Sequence, residues 1–116
     1  MDNHEIGKRG ELLAQKHLKE IGYEIITVNY RCKLGEIDII AYKENYIVFI
    51  EVKTRRNTNY GLPYESVSAV KQKKIRKVAA YYLKVNNIFQ KNCRFDVVSI
   101  EKKGMDYTCE IIQDAF

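Results

Sequence analysis

The chain has 116 residues, of which 46% are hydrophobic and 30% charged, and its formal net charge is +5. This balance predicts one globular domain over residues 1–116, and no stretch reaches the roughly 20 apolar residues that a membrane-spanning helix needs. The polar N-terminus and the odd number of cysteines are atypical of small secreted domains, so we expect a cytoplasmic protein with no membrane partner. The basic excess permits a nucleic-acid partner without establishing one.

The predicted elements follow the order helix, three strands, helix, two strands. Gly22 ends the first helix, and either Ser66 or Ser68 is suited to cap the second, in which Val70 and Ile75 are expected to face inward. The expected bounds are 5–21, 23–29, 36–42, 46–54, 66 or 68 to 83, 94–101 and 107–113, with a basic connection over 30–34. This order predicts an α/β fold with a central mixed five-stranded sheet flanked by helices. The strand after the second helix is expected to join the sheet by a crossover connection.

The second and third strands are separated by the short polar segment 43–45, which predicts an antiparallel hairpin. If the turn is centred on Glu44 and Asn45, Ile40 faces Phe49 and Asp38 faces Glu51. Because side chains alternate along a strand, one face is then apolar throughout: Ile37, Ile39, Ala41, Val48, Ile50 and Val52. The opposite face has a charged group at one end: Glu36, Asp38, Glu51 and Lys53.

That charged group indicates a metal site. Like charges placed opposite each other destabilise a strand pair, and Lys53 alone does not balance three carboxylates. A divalent ion such as Mg²⁺, which takes carboxylate, water and phosphate oxygens, would do so. Glu11 lies at the inner edge of the first helix, near Gly7, where a small residue permits close approach. The alternative is a solvated salt cluster in which Lys53 pairs with Glu36.

Motifs spread along almost the whole chain resemble a known family. The matching stretches are Gly7-Lys8-Arg9-Gly10-Glu11, Asn29-Tyr30-Arg31, Gly35-Glu36-Ile37-Asp38, Glu51-Val52-Lys53-Thr54-Arg55, Lys71-Gln72, Arg94-Phe95-Asp96-Val97 and Ala115-Phe116. The chain resembles the YraN-like family of uncharacterised bacterial proteins, which is similar to Holliday-junction resolvases within the PD-(D/E)XK nuclease superfamily. The resemblance implies a three-layer fold like that of restriction endonucleases.

The resemblance also implies roles for individual residues. Asp38 and Glu51 match the carboxylates that bind Mg²⁺ or Mn²⁺, and Lys53 matches the lysine that orients or activates the attacking water. Glu11 matches a helix glutamate of resolvase-like members, and Gln72 matches a polar residue that some relatives place near the site. Ile37 stands where the superfamily name has proline, a departure that removes no chemical group.

Basic residues gather around these positions and indicate a surface that binds a phosphate backbone. They are Lys8, Arg9, Arg31, Arg55, Arg56, Lys71, Lys73, Lys74 and Lys77. Tyr60 and Tyr64 are suited either to stack on a base or to pack within their loop. Each basic run, taken alone, is typical of a solvated face. Asp96 is interpreted as structural.

These observations predict a metal-dependent endonuclease that hydrolyses phosphodiester bonds in DNA. A preference for branched or structured DNA, and a homodimer matching a two-fold substrate, are expected by family analogy alone. One alternative is a nucleic-acid-binding module that keeps the nuclease-like fold but does not cleave. Another is a protein-interaction domain whose basic helix binds an acidic partner.

Overall fold

A computed structural model describes residues 3–55 and 67–116. The element order is the one predicted from the sequence. The bounds are α1 (Asn3–Glu20), β1 (Glu24–Cys32), β2 (Gly35–Lys43), β3 (Tyr46–Arg55), α2 (Ala69–Val85), β4 (Asn92–Lys103) and β5 (Asp106–Ile112). Four residues named above lie outside the described ranges: Arg56, Tyr60, Tyr64 and Ser66.

The five strands form one mixed sheet in the order β1-β2-β3-β4-β5. Strands β3 and β4 are parallel, and every other neighbouring pair is antiparallel. Parallel neighbours require a crossover connection, and α2 lies within it, as predicted. No helix in the described ranges is long and apolar enough to cross a membrane.

Local sequence explains where the helices end. Gly22 follows α1 with φ 95°, a backbone conformation that glycine adopts at little cost, and its amide donates to the Lys19 carbonyl at 3.2 Å. Ser68 caps α2, because its Oγ accepts a hydrogen bond from the Lys71 amide at 3.2 Å. Asn86 terminates α2, and its backbone amide donates to the Tyr82 carbonyl at 3.1 Å.

The connection expected over 30–34 is wrong. Strand β1 continues to Cys32, which pairs with Gly35, so the turn contains only Lys33 and Leu34. Tyr30 remains in the strand because its ring packs edge-on against Tyr82, with 5.0 Å between the centroids. The polar composition of this stretch is compatible with a strand at the edge of the sheet, where alternate side chains reach solvent.

The sheet has an apolar layer on each face. On one face, Ala14 and Leu18 of α1 pack with residues that include Ile39, Val48 and Ile50. On the other face α2 covers the sheet, and the packed residues include Ile40, Ile47, Phe49, Ile75, Val78, Ala79 and Tyr82. The structure therefore has three layers, helix on sheet on helix, and the hairpin β2–β3 is covered on both sides, as predicted.

Two predicted core positions are wrong. Ile37 packs with the α2 layer and not with Ile39, because this end of β2 pairs with β1 alone and lies close under α2. A Cβ added at Gly35 would lie 3.2 Å from Val78 Cγ2, which shows how close the helix is. Val70 is 67% exposed. At 100° per residue it points well away from the buried row of α2, on which Lys71 lies one step later.

Candidate functional site

The candidate site lies at the end of the hairpin where β2 and β3 separate. The ladder between β2 and β3 has the predicted register, with Ile40 opposite Phe49, and it ends at the pair Ile39–Ile50. One step further, the predicted strand pair of Asp38 and Glu51 does not form, because Asp38 leaves the ladder. Its Oδ2 accepts a hydrogen bond from the backbone amide of Val52 at 2.8 Å. A side-chain carboxylate thus replaces a strand carbonyl, and both carboxylates remain near the strand end.

Glu51 is the centre of a charged cluster at this strand end, which consists of Asp38, Glu51, Lys53 and Lys71. Glu51 is only 7% exposed to solvent. Because side chains alternate along β3, it lies on the same face as Ile47 and Phe49, which α2 covers. Two ammonium groups approach the same carboxylate oxygen, Oε1. Lys71 Nζ lies 2.7 Å from it, and Lys53 Nζ lies 3.7 Å from it. The expectation that Lys53 is the single local cation is therefore incomplete.

Lys71 is the site residue whose role the sequence analysis missed. It was expected only as a phosphate contact, but its ammonium pairs with Glu51 inside the cluster. The signal was present in the helix periodicity. Lys71 precedes Ile75, Val78 and Tyr82 at spacings of four, three and four, so it continues the row that faces the sheet.

The electrostatics of the cluster differ at its two ends. Burial, together with the charge of Glu51 and more weakly that of Glu11, raises the pKa of Asp38 to about 7, although the Val52 hydrogen bond opposes this shift. Burial and the neighbouring Lys71 lower the pKa of Lys53. Burial alone would lower the pKa of Lys71, but its hydrogen bond to Glu51 and the charges of Glu51 and Asp38 together outweigh burial and raise this pKa. Positive charge therefore concentrates at Glu51, while Asp38 is poorly compensated.

The remaining predicted site residues have different placements. Glu11 lies within electrostatic range of Asp38. The side-chain Nε2 of Gln72 donates to the Val67 carbonyl at 3.0 Å and ties the start of α2 to Val67, so the site role of Gln72 stays a prediction. Glu36 pairs with Arg31 at 3.0 Å, both largely exposed, so the alternative in which Lys53 bridges Glu36 is wrong.

The close approach expected near Gly7 occurs at Gly10. A Cβ added at Gly7 would meet nothing within 4 Å. A Cβ added at Gly10 would overlap Thr54 Oγ1 and lie 3.1 Å from Thr54 Cβ. Gly10 therefore lets α1 approach β3 one residue beyond Lys53, which holds Glu11 near the strand end.

The predicted basic surface is partly assembled. Lys8 and Arg9 on α1 are exposed, as are Lys73, Lys74 and Lys77 on α2. The Arg31 side chain is 77% exposed and paired with Glu36, and Arg55 is half-buried. Arg56 lies outside the described residues. The basic residues of α2 thus lie on the same helix as Lys71, which extends to Glu51.

Asp96 belongs to a separate buried network on the α1 side of the sheet. Its carboxylate accepts hydrogen bonds from Tyr23 Oη at 2.7 Å and from two nitrogens of Arg94, each at 2.9 Å. The Asp114 amide adds another at 2.9 Å. Burial and the Asp96 carboxylate raise the pKa of Tyr23 to about 12. This satisfied arrangement supports the structural interpretation of Asp96.

The donors at the strand end are two carboxylates. Among residues 3–55 and 67–116, no three His, Cys, Asp or Glu side chains form a group able to hold a metal ion. Mg²⁺, however, is usually held by one or two carboxylates and completes its shell with water and phosphate oxygens. Asp38 and Glu51 fit that requirement, because both supply hard oxygen donors and the charge of Asp38 is poorly compensated.

Comparison with known proteins identifies the family. The model of the "Uncharacterised protein family UPF0102" matches residues 10–100. The chain belongs to this family. It is 45% identical over 116 residues to a UPF0102 protein of Clostridium novyi, covering 98% of this chain and 97% of that protein. It is 48% identical over 120 residues to a UPF0102 protein of Caldicellulosiruptor saccharolyticus, covering 100% of both. The family name assigns no activity.

Proposed function

We propose that this UPF0102 chain is a metal-dependent endonuclease that hydrolyses phosphodiester bonds in DNA, with branched or structured DNA as the expected substrate. The observation that supports it most directly is the strand-end cluster. Asp38 and Glu51 approach each other where β2 and β3 separate, and Lys53 lies 3.7 Å from Glu51. Two carboxylates beside a lysine match the chemical needs of phosphodiester hydrolysis.

In this proposal Asp38 and Glu51 hold Mg²⁺ or Mn²⁺. The bound ion would supply Lewis acidity and a more acidic water. Lys53 places positive charge where negative charge develops on the phosphate. Its lowered pKa, caused by burial and by Lys71, also makes its ammonium a better proton donor than an ordinary lysine. Glu11 adds a further negative charge near Asp38.

Positive residues outside the cluster would hold the substrate backbone. Lys73, Lys74 and Lys77 are exposed on α2, whose first turn also provides Lys71. Phosphate contacts of this kind position a nucleic acid without reading its sequence. The three cysteines are free thiols, which supports a cytoplasmic location. A homodimer remains part of the proposal, since a two-fold substrate suits one.

One observation favours a second candidate, a nucleic-acid-binding module that does not cleave. Lys53 and Lys71 both pair with Glu51 and equal in number the carboxylates of Asp38 and Glu51, so the cluster does not require a metal for overall neutrality. A cleavage panel distinguishes the two candidates. Single-stranded, duplex, flap and four-way DNA, with RNA alongside, are incubated with Mg²⁺ or Mn²⁺.

We expect metal-dependent cleavage by the parent protein and its loss in Glu51→Gln and Lys53→Met. Loss of one such group commonly costs on the order of 10²–10³ in rate. Glu110→Gln and Lys103→Met, which change exposed residues on β5 and β4, are the matched controls and should cleave like the parent. Binding without cleavage under every condition would support the second candidate. Cleavage retained in Glu51→Gln would exclude this site.

A further inference from the structure

The two lysines at Glu51 differ in how they are held. Lys53 lies on the same strand, its side chain is 25% exposed, and its Nζ is 3.7 Å from Glu51 Oε1. Lys71 comes from α2, its side chain is 41% exposed, and its Nζ is 2.7 Å from the same oxygen. The closer ion pair is therefore made by the more exposed lysine.

The Lys71 backbone is fixed while its ammonium has room to move. Its amide is bound to the capping Ser68 at 3.2 Å, so the start of the side chain does not shift. The four-carbon stem beyond it is flexible, and 41% of the side chain is exposed. Leaving Glu51 for solvent therefore costs Lys71 no further desolvation, and the side chain of Lys53 is the more buried of the two.

A divalent ion and the Lys71 ammonium compete for Glu51. A metal ligated by this carboxylate would lie about 2.0–2.1 Å from an oxygen, inside the space that an ammonium at 2.7 Å occupies. The cluster also already has as many ammonium groups as carboxylates, and both ammonium groups pair with Glu51. Adding two positive charges while Lys71 stays in place would produce repulsion within a partly buried site.

We propose that Lys71 is a displaceable counter-ion: it neutralises Glu51 until a divalent cation binds there, and its released ammonium then binds a phosphate oxygen of the nucleic acid. The inference rests on the proposed function and adds a regulatory step to the same site. Lys71 shares α2 with the exposed Lys73, Lys74 and Lys77, so a backbone phosphate bound at that helix is within the reach of its side chain.

This exchange makes metal and phosphate bind cooperatively. A phosphate that holds the Lys71 ammonium removes the competitor from Glu51, and a metal on Glu51 releases the ammonium to the phosphate. By linkage, each ligand must raise the affinity of the other by the same factor. The Lys71 ammonium would therefore weaken the binding of either ligand alone, and each ligand would strengthen the binding of the other.

The direct test is calorimetric titration of Mn²⁺ into the metal-free protein without nucleic acid. Lys71→Met removes the competing charge and should bind Mn²⁺ more tightly than the parent, by a factor within the roughly 5–150-fold range of typical couplings. Lys71→Gln keeps a donor without the charge and should also bind more tightly, which preserves the test if the methionine variant folds poorly. Lys84→Met, which changes an exposed lysine in the last turn of α2, is the control and should bind like the parent.

The cooperative step has its own readout. Thymidine 5′-phosphate has no internucleotide bond to cleave, and it should tighten Mn²⁺ binding in the parent but not in Lys71→Met, with phosphate-free thymidine as the control. Mn²⁺ affinity that is equal or weaker in both Lys71 variants would overturn the inference while leaving the metal site intact. If neither the parent nor any variant binds Mn²⁺ at millimolar concentration, the proposed nuclease site itself is wrong.

Discussion

Asp38 and Asp96 are both withdrawn from water, but their surroundings are opposite in character. Asp96 is fully buried and accepts hydrogen bonds from Tyr23, Arg94 and the Asp114 amide, so its charge is matched on all sides. Asp38 has the Val52 amide as its hydrogen-bond donor and faces a second carboxylate, Glu51. A charge that the fold compensates, like that of Asp96, indicates a structural role. A carboxylate left poorly compensated, like that of Asp38, is suited to bind a metal ion.

The raised pKa of Asp38 predicts how stability depends on pH without metal. Its pKa is 3.8 in an unfolded chain and about 7 in the fold, because of burial and the charge of Glu51. The folded protein therefore binds more protons between about pH 4 and pH 7, so this group's contribution to stability falls as pH rises through that window and is constant above it.

Asp38→Asn removes this dependence while keeping an oxygen to accept the Val52 hydrogen bond. Relative to the variant, the parent should lose ~1–2 kcal/mol of its free energy of unfolding between pH 5 and pH 8. This figure is smaller than the full pKa shift of Asp38 would give, because the site is partly solvated. Urea unfolding of both proteins at the two pH values, without metal, measures the difference. Parallel pH dependence in the two proteins would contradict the assignment.

The Asp96 network makes the reverse prediction. Asp96→Asn leaves the Arg94 guanidinium, whose side chain is 12% exposed, without its counter-charge. Breaking a buried pair by removing one partner typically costs about 3–5 kcal/mol. Urea unfolding should show that loss, while the increase in melting temperature caused by Mn²⁺ should match the increase in the parent. A variant as stable as the parent would show that the network adds no net stability.

At the scale of elements, the site depends on how closely α1 and α2 approach the sheet. Gly10 brings α1 against Thr54, and the cap at Ser68 starts α2 where Lys71 extends to Glu51. The strand end has two carboxylates, so the packing of these helices decides which further charges reach them. A small displacement of either helix would change the cluster without changing any residue in it.

Gly7 and Gly10 provide a matched pair that tests how closely α1 packs. Gly10→Ala must push α1 away from Thr54, and overpacking of this kind costs about 1–3 kcal/mol, partly offset by roughly 1 kcal/mol from better helix propensity. Gly7→Ala meets open space and should be neutral or up to about 1 kcal/mol more stable. Thermal unfolding of both variants measures the contrast. Equal stability would mean that α1 does not approach β3 this closely.

At the scale of the whole molecule, the crossover places α2 over the hairpin. Strands β3 and β4 are parallel neighbours, so the connection between them must return along the sheet, and α2 packs on the face that contains Glu51. One consequence is that the cluster and the exposed lysines of α2 share one helix. Lys8 and Arg9, by comparison, are exposed on α1, which covers the opposite face of the sheet.

Replacing Lys73, Lys74 and Lys77 together by alanine should weaken DNA binding and reduce its salt dependence. Each phosphate that the variant no longer neutralises lowers the slope of log K against log salt by roughly 0.9 for duplex DNA. The control replaces Lys16, Lys19 and Lys103, three exposed lysines outside α2, with the same change in net charge. Binding measured across a salt series gives both slopes, and equal slopes would mean that α2 has no special part in binding.

The sequence alone determined the element order, the hairpin register and the two carboxylates of the site. These follow from local rules, since alternation along a strand and a two-residue turn at Glu44 and Asn45 leave one register that buries the apolar side chains. The same register placed Lys53 beside them, and the first helix placed Glu11 at its inner edge; the family resemblance added the roles of these two residues. The helix period also contained the position of Lys71, although its charge favoured interpretation as a surface residue.

Only the tertiary structure decided the partners of these residues. Tyr23 meets Asp96 across 73 positions, Val52 donates to Asp38 where two strands part, and Lys71 reaches Glu51 from a helix in the crossover. The exposure of Val70 and the packing of Ile37 against α2 were likewise decided by tertiary packing. Periodicity fixes which side of an element is buried, but the distance and angle at which two elements pack fix which side chains touch.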